Sequence, residues 1–537
     1  MIRRLLSSQI KSITGAAILL GSASFVSRLI GVLRDRIFAH QFGAGTTLDA
    51  YYAAFRIPDL VYNLLVVGAL SAGFIPVFIK VYEKSKSKSW EVTNSIINIL
   101  GVGLIILCII LFIFTPQIIP LLVPGFNGEK LDLTITLTRI MFFSPILLGI
   151  SSVVSGVLQA TKSFFVYALT PIMYNLGIII GALIFFPIFG EIGLAFGVIL
   201  GALLHLLIQL PTFFKHGYRY KFVFNIKDIF VREIAKLMIP RTLGLATSQL
   251  HILVITYLAS TLSEGSLTVF NFANNLQYFP IGIIGYSFAI AAFPTLSYLA
   301  TQNKKEEIAE HISSTTKQIL FLIIPLSIIF LLLRAQIVRV VLGSGAFDWT
   351  ATIMTANTLA FFALSLFAQC LIPLFARTFY ALEDTMTPFI ISFVVAVINI
   401  FLGIYLKDSL GVAGLALAFS IAMVIQLSFL WLFLKLKLGS LGEAQIIKSL
   451  NKIVFSAFCM AVTVQSLKLP LSNIFGMDTF KGVLFQGFFA GTAGLLAYLL
   501  ICYFLKLPEL THIQTSLTRK WLKLRNVQAE INEADEV

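Results

Sequence analysis

About fourteen stretches of roughly 20 predominantly apolar residues follow one another along the chain, each long enough to cross the hydrocarbon core of a bilayer as a helix. Their centres fall near Phe25, Val67, Ile106, Gly149, Ile178 and Leu203, then Leu253, Ile284, Leu326, Leu364, Val395 and Val424, and finally Met460 and Ala493. Lipid offers backbone groups no hydrogen-bond partners, so apolar runs of this length must satisfy their own N–H and C=O groups as helices. The expectation is an all-α polytopic membrane protein grouped as six, six and two helices. Composition agrees: 58% of residues are hydrophobic and 12% charged, with mean hydropathy +0.93, a balance that excludes a water-soluble globular chain.

The formal net charge of +14 does not point to nucleic acid, because the basic residues cluster in short loops between apolar runs. Most of the 39 Lys and Arg fall in the termini and in the loops bearing Lys80 to Lys88, Lys162, Lys215 to Lys236, Lys304 to Lys317, Arg377 and Lys435 to Lys452. These loops alternate with poorly charged ones, so the positive-inside bias puts them, and both termini, in the cytoplasm. Met1 to Lys11 is basic, but the following apolar segment carries Arg28 and no small-residue cleavage site, so it reads as a retained first helix. Cys108, Cys370, Cys459 and Cys502 each stand alone in apolar surroundings; neither a disulfide framework nor a metal site is expected, nor any cofactor.

The two six-helix halves echo each other. Thr170-Pro171 recurs as Thr387-Pro388, Gly193-Leu194-Ala195 as Gly414-Leu415-Ala416, and Ile75-Pro76 as Phe293-Pro294, at offsets of 217 to 221 residues. An even number of helices per repeat preserves orientation, so this is a parallel duplication, which in transporters places a substrate path in a central cavity between two lobes that expose it to one side at a time. The expected organisation is an N-lobe (1–225), a C-lobe (226–440), two further helices (441–510) and a cytoplasmic tail (511–537).

Arg28 lies mid-helix, where a guanidinium costs at least ~2.5 kcal/mol unless it faces water or a partner. Gly21 and Ser24 precede it on roughly the same face and leave room beside the charge. A cavity role, with the paired N–H donors of the guanidinium gripping phosphate, competes with snorkelling to the interface. Arg34-Asp35-Arg36, Asp49, Arg56 and Pro58 then make the entry to the second helix unusually polar. Asp49 has two readings, a cavity partner for Arg28 or Arg56 and a cap for the start of the second helix. His205 and His251 are isolated on apolar helices and read as packing residues. No nucleophile with a base, catalytic carboxylate pair or phosphate-binding loop is present, so the chain reads as a transporter and not an enzyme.

Ser27-Arg28 through Gly31, Arg34-Asp35, Phe42-Gly43-Ala44-Gly45, Asp49-Ala50 and Phe55-Arg56-Ile57-Pro58 resemble the N-terminal signature of the MurJ (MviN) lipid II flippases. Pro240 to Gly244 with Gln249, Phe279-Pro280, Gly285, Phe293 to Leu296 and Arg377 to Pro388 extend the resemblance along the chain. It implies the multidrug/oligosaccharidyl-lipid/polysaccharide exporter fold. It also implies transport of the undecaprenyl-pyrophosphate-linked peptidoglycan precursor from inner to outer leaflet of the bacterial cytoplasmic membrane. Arg28 and Arg34 match positions the family uses to hold pyrophosphate, Asp49 matches their acidic partner, and Arg56, Asn274 and Asn275 complete the expected cavity set. The lipid tail would ride in a groove formed with the last two helices, and membrane lipids and cell-wall synthesis and division proteins are the implied partners.

Where typical members carry arginines after the Arg-Ile-Pro run and a Glu before the next Gly, this chain has Tyr62, Asn63 and Val67; where many have an acidic-Arg pair in the eighth helix, it has Asn274-Asn275. The seventh and eleventh helices lack the carboxylates with which some relatives bind sodium, leaving Asn399, so no sodium site is expected. The less cationic cavity keeps two other readings open, transport of a different polyprenyl-linked saccharide and a non-transporting scaffold of the cell-wall machinery. A multidrug antiporter would want membrane carboxylates beyond Asp49 and Asp59.

Overall fold

The computed structural model describes residues 13–67 and 73–511, with the side chains of all but residues 13–18, 67, 239–241 and 243–248. The basic run Met1 to Lys11, the Gly68-Ala69 position, the Arg241 side chain and residues 512–537 of the tail lie outside that description.

Every described regular element is helical. The chain runs α1 (Ile13–Phe42), α2 (Thr46–Ala54), α3 (Arg56–Val61), a π-helical turn (Tyr62–Val67), α4 (Ile75–Lys84) and α5 (Lys86–Leu122). Next come α6 (Gly128–Ala160), α7 (Phe164–Phe189), α8 (Ile192–Lys215), α9 (Ile229–Ser260), α10 (Ser266–Thr301), α11 (Lys305–Leu332) and α12 (Arg334–Val341). It ends with α13 (Trp349–Ala363), α14 (Leu366–Ala381), α15 (Met386–Leu410), α16 (Val412–Leu438), α17 (Glu443–Phe475) and α18 (Phe480–Phe504). Among the described residues ten helices are long and apolar enough to cross a bilayer, and α13 with α14, bent by 46° at a short break, makes an eleventh. The three remaining predicted centres, Phe25, Val67 and Leu253, belong to the stretches that include the undescribed residues, so the count of about fourteen stands at ten or eleven here.

The repeat is visible in backbone conformation. Gly190 and Gly411 both take positive φ (64° and 60°), and each accepts a hydrogen bond from the amide three residues on, Gly193 and Gly414. The turns before α7 and α15 likewise each place one non-glycine residue at positive φ, Lys162 (60°) and Glu383 (59°). In α15 the turn is completed by Asp384, whose carboxylate caps Thr387 N–H at 3.0 Å and pairs with Lys437.

By packing, the described chain forms two compact units. The first runs to Asn275 and takes in Val341–Thr355 and Ala396–Ala418; the second comprises Leu276–Val340, Ala356–Val395 and the residues from Phe419 onward. Within the first unit α7 and α8 meet through glycines: a Cβ on Gly177 would stand 2.2 Å from Gly201 Cα, and one on Gly181 2.5 Å from Gly197 Cα. Backbones this close are the small-residue solution to helix association in lipid, where apolar burial gives no net drive. Within the second unit α17 packs along α18 and α11, and the Tyr498 hydroxyl donates to the Phe321 carbonyl at 2.8 Å. Between α11, α13, α14, α16 and α17 lies a cavity of about 640 Å³ whose wall includes Leu320, Ile324, Phe367, Trp431, Leu450 and Val454.

Candidate functional site

The polar residues of α1 and α3 converge on the first three turns of α10, within the first unit. Arg34 binds the neighbouring Asp35 Oδ1 through Nε (3.1 Å) and Nη2 (2.8 Å), and its Nη1 donates to Asn175 Oδ1 on α7 (3.1 Å). The other carboxylate oxygen of Asp35 accepts from Asn275 Nδ2 at 2.8 Å. One turn earlier on α10, Asn271 Oδ1 accepts from Arg56 Nη2 at 2.9 Å while its own amide donates to the Leu267 carbonyl. Asn271 and Asn275 are spaced four apart, so α10 presents both amides on one face. Arg28 sits two turns before Asp35 on the same side of α1, about 10 Å along the axis, and its side chain is half-buried, as is that of Asn274.

The charges are arranged with few surplus acids. Arg34 spends part of its fork on Asp35, whose side chain is 6% exposed, and Arg56 has an amide partner while its buried Nε has none among the described residues. A guanidinium carries five N–H donors, so both side chains retain donor capacity for an anionic oxygen. Among the positions where the sequence departs from typical relatives, Tyr62 places its hydroxyl 3.3 Å from Ser152 Oγ and Asn63 donates to the Asp59 carbonyl.

Asp49 is 1% exposed, and both of its oxygens are engaged. Oδ1 accepts from Thr268 N (2.9 Å) and Oγ1 (2.8 Å); Oδ2 accepts from Gly265 N (2.8 Å) and Lys130 Nζ (2.8 Å). The carboxylate therefore caps α10 from another segment of the chain, and of its two readings the cap of the second predicted helix is corrected, because Asp49 lies inside α2 and spends its oxygens elsewhere. Neither Arg28 nor Arg56 is among those four donors. Neighbouring contacts reinforce this region: Thr46 N and Oγ1 both reach Glu264 Oε1, Thr47 Oγ1 reaches Glu191, Arg36 Nη1 reaches the Val341 carbonyl, and Ala346 N reaches the His40 carbonyl. Together they form a clasp over the end of α1, and Gly43, at φ +64°, leaves its Cβ position to the Ala346 carbonyl.

The two histidines read as packing residues have polar partners. His205 Nδ1 lies 2.7 Å from Ser151 Oγ, in a chain continued by Gln209 and Ser155. His251 contacts the Asn399 amide at 3.2 Å, while Asn399 Oδ1 is buried without a partner among the described residues. Of the site as sequence reasoning framed it, Asp35, Asn175 and Asn271 were missing. The four-residue Asn271-Asn275 spacing was the available signal; nothing local marks Asn175.

Helical repeats and an arginine-bearing polar site on otherwise apolar helices give this chain the fold of a transporter of the multidrug/oligosaccharidyl-lipid/polysaccharide exporter superfamily. An inward-facing multidrug resistance transporter of the MATE family in that superfamily shares the fold at TM-score 0.65 and 16% identity, over 80% of this chain and 99% of the other. The family model described as lipid II flippase MurJ matches residues 38–483, and the chain belongs to that family. It is 29% identical to the "probable lipid II flippase MurJ" of Thermotoga maritima over 91% of this chain and 96% of the relative. With that of Buchnera aphidicola subsp. Acyrthosiphon pisum it shares 29% over 89% and 94%. A solved lipid II flippase MurJ in the inward closed conformation superposes at TM-score 0.76 and 26% identity, over 91% and 99% of the two chains.

Proposed function

We propose that this chain moves lipid II, the undecaprenyl-pyrophosphate-linked peptidoglycan precursor, from the inner to the outer leaflet of the bacterial cytoplasmic membrane by alternating access. The observation that carries the reading is the pair of guanidinium groups, Arg34 and Arg56, anchored by Asp35, Asn175 and Asn271 on three helices of a lipid-embedded bundle. Anchoring fixes the forks, and a fixed fork is the geometry that binds a pyrophosphate oxygen with paired, charge-assisted hydrogen bonds. Arg28, further along the same face of α1, extends the cationic surface. Asn274 and Asn275 supply amides for phosphate or sugar hydroxyls, and Asp49 serves the site by holding the start of α10. The apolar cavity beside α17 suits the polyprenyl tail.

In this reading the six-helix repeats, 1–225 and 226–440, rock against each other, residues 441–510 add the tail groove, and both termini, including the tail 511–537, face the cytoplasm. Cell-wall synthesis proteins would supply and remove the cargo, so the chain itself performs no bond chemistry. The neutral residues Tyr62 and Asn275 favour a second reading, a polyprenyl-linked saccharide less anionic than lipid II.

The test is complementation in a bacterium depleted of its own lipid II flippase, comparing wild type with Arg34→Lys, Arg34→Ala and Arg28→Ala at matched membrane insertion. Wild type is expected to rescue growth and both alanine variants to fail, with Arg34→Lys impaired because an ammonium keeps the charge and loses the fork. Rescue by every variant would remove the arginines from the mechanism. Failure of a well-inserted wild type would favour the other cargo or a scaffold.

A further inference from the structure

Between α8 and α9 the chain runs through an irregular strap, Tyr218 to Ile226, that is bound to one side of α5. The Tyr218 hydroxyl donates to Asn94 Oδ1 (2.6 Å), and Asn94 Nδ2 returns a bond to the Arg219 carbonyl (3.1 Å). One turn further along α5, Asn98 Nδ2 donates to the carbonyls of Lys221 (3.3 Å) and Val223 (2.9 Å), and Asn98 Oδ1 accepts from the Tyr220 hydroxyl (2.9 Å). The strap then comes back toward the start of α5, where Asp228 pairs with Lys88 at 2.7 Å and caps α9. Its tip is thus fixed at the level of Asn98, the residue immediately before the unbroken apolar run Ile99 to Phe114. That is where α5 passes from headgroup to hydrocarbon, about 15 Å deeper than Lys88.

The tip carries apolar side chains pointed away from the protein. Val223 N–H bonds the Lys221 carbonyl and closes a three-residue turn with Phe222 at its apex, 75% exposed. Tyr220, Phe224, Ile226 and Ile229 are also exposed. Around them stand six cations, Lys215, Arg219, Lys221, Lys227, Arg232 and Lys236, and two acids. Both acids are already neutralised from other helices, Asp228 by Lys88 and Glu233 by Lys80. The loop is one of those between predicted helices that the Lys and Arg bias assigns to the cytoplasm. Exposed aromatics ringed by unbalanced cations at interface depth have the chemistry of a monotopic anchor for an anionic leaflet.

We propose that residues 218–229 form an interfacial strap that inserts Phe222, Phe224 and Ile226 among the lipids of the cytoplasmic leaflet and binds anionic phospholipid headgroups through Lys215, Arg219, Lys221 and Lys227. This goes beyond the cargo reading and does not depend on it. The test places a nitroxide at Phe222→Cys in the full chain with its native cysteines replaced, reconstituted in phosphatidylethanolamine vesicles with or without phosphatidylglycerol. Accessibility to oxygen and to a water-soluble nickel complex is compared with Ser87→Cys, exposed at the start of α5, and Ile109→Cys, exposed in mid-span. The label at 222 is expected to resemble position 109 in oxygen preference, more so with phosphatidylglycerol, with each Lys or Arg changed to Gln shifting the inserted fraction roughly fivefold. Asn98→Ala, which unhooks the tip without touching its surface, is expected to loosen the label while the phosphatidylglycerol dependence persists. A label as water-accessible as position 87 in both vesicles would overturn the proposal and give the face to a cytoplasmic protein. Insertion indifferent to phosphatidylglycerol and to the Gln changes would overturn the headgroup assignment.

Discussion

Asp49 shows how much one carboxylate can organise when it is buried with four donors. Removing it leaves Lys130 and the first amides of α10 without an acceptor in a site that water does not reach. Truncating one member of a buried pair costs about 3–5 kcal/mol, more than a surface cap would. Asp49→Ala is therefore expected to lower the thermal midpoint of the purified protein sharply, and Asp49→Asn less, since an amide oxygen still accepts from Thr268; unchanged midpoints for both would contradict the cap. Asp384 makes the complementary case outside the spans. Burial pushes its carboxyl up, but bonds from Lys437 and from Thr387 outweigh that and hold it at about 2. A folded pKa below the unfolded value near 4 means that the stabilisation is complete above about pH 4 and is lost as pH falls toward 2. The acid-induced drop in midpoint over that window is expected to shrink in Asp384→Asn. Neither role was legible in the sequence, because Asp49 and Thr268 meet only after more than two hundred intervening residues have folded. Arg34 and Arg56 were legible because a guanidinium in an apolar helix is anomalous by itself, whereas Asn271 becomes meaningful only once α3 lies beside α10.

At the scale of elements, hydropathy located the helices and small residues decided how they pack. Every apolar centre that falls in a fully described stretch lies inside a helix except Leu364, which sits in the short break between α13 and α14, since about 20 apolar residues leave little other option in lipid. The breaks were less readable: α2, α3 and the π-helical turn divide what reads as one second helix, and Pro58 sits inside α3. The α7–α8 contact offers the sharpest test. A methyl at Gly197 would fall 2.5 Å from Gly181 Cα, and backbone cannot swing aside as a side chain can. Gly197→Ala is expected to cost about 1–3 kcal/mol of stability, and Gly197→Leu to prevent recovery of folded protein from the membrane. Gly21→Ala, with nothing within 4 Å of its Cβ position, serves as the tolerated control in the same thermal assay.

At the scale of the whole molecule, the proposed lobes, 1–225 and 226–440, can rock only if the clasp bonds that cross between them, from Thr46 and Asp49 to Glu264, Gly265 and Thr268, come apart once per cycle. Thr46 and Thr47 are tied to Glu264 and Glu191, and Asp49 to Gly265, Thr268 and Lys130. Each of these bonds joins the first turn of α2 to a loop or helix end that the charge bias puts on the outer side. These partners are charge-assisted hydrogen bonds, short enough to hold and few enough for a single conformational step to release. Covalent closure discriminates a clasp that must open from one that merely stabilises the fold. In a protein whose native cysteines are replaced, Thr46→Cys with Glu264→Cys, bridged by a short bis-thiol reagent with a reducible link, is expected to lose complementation and flipping in vesicles. Reduction is expected to restore both, and each single variant treated identically to remain active. The cross-linked protein should also be the more heat-stable form, since the bridge only reinforces contacts already present. Full activity with the bridge in place would show that the outer ends of these helices never part, and alternating access through this face would have to be abandoned.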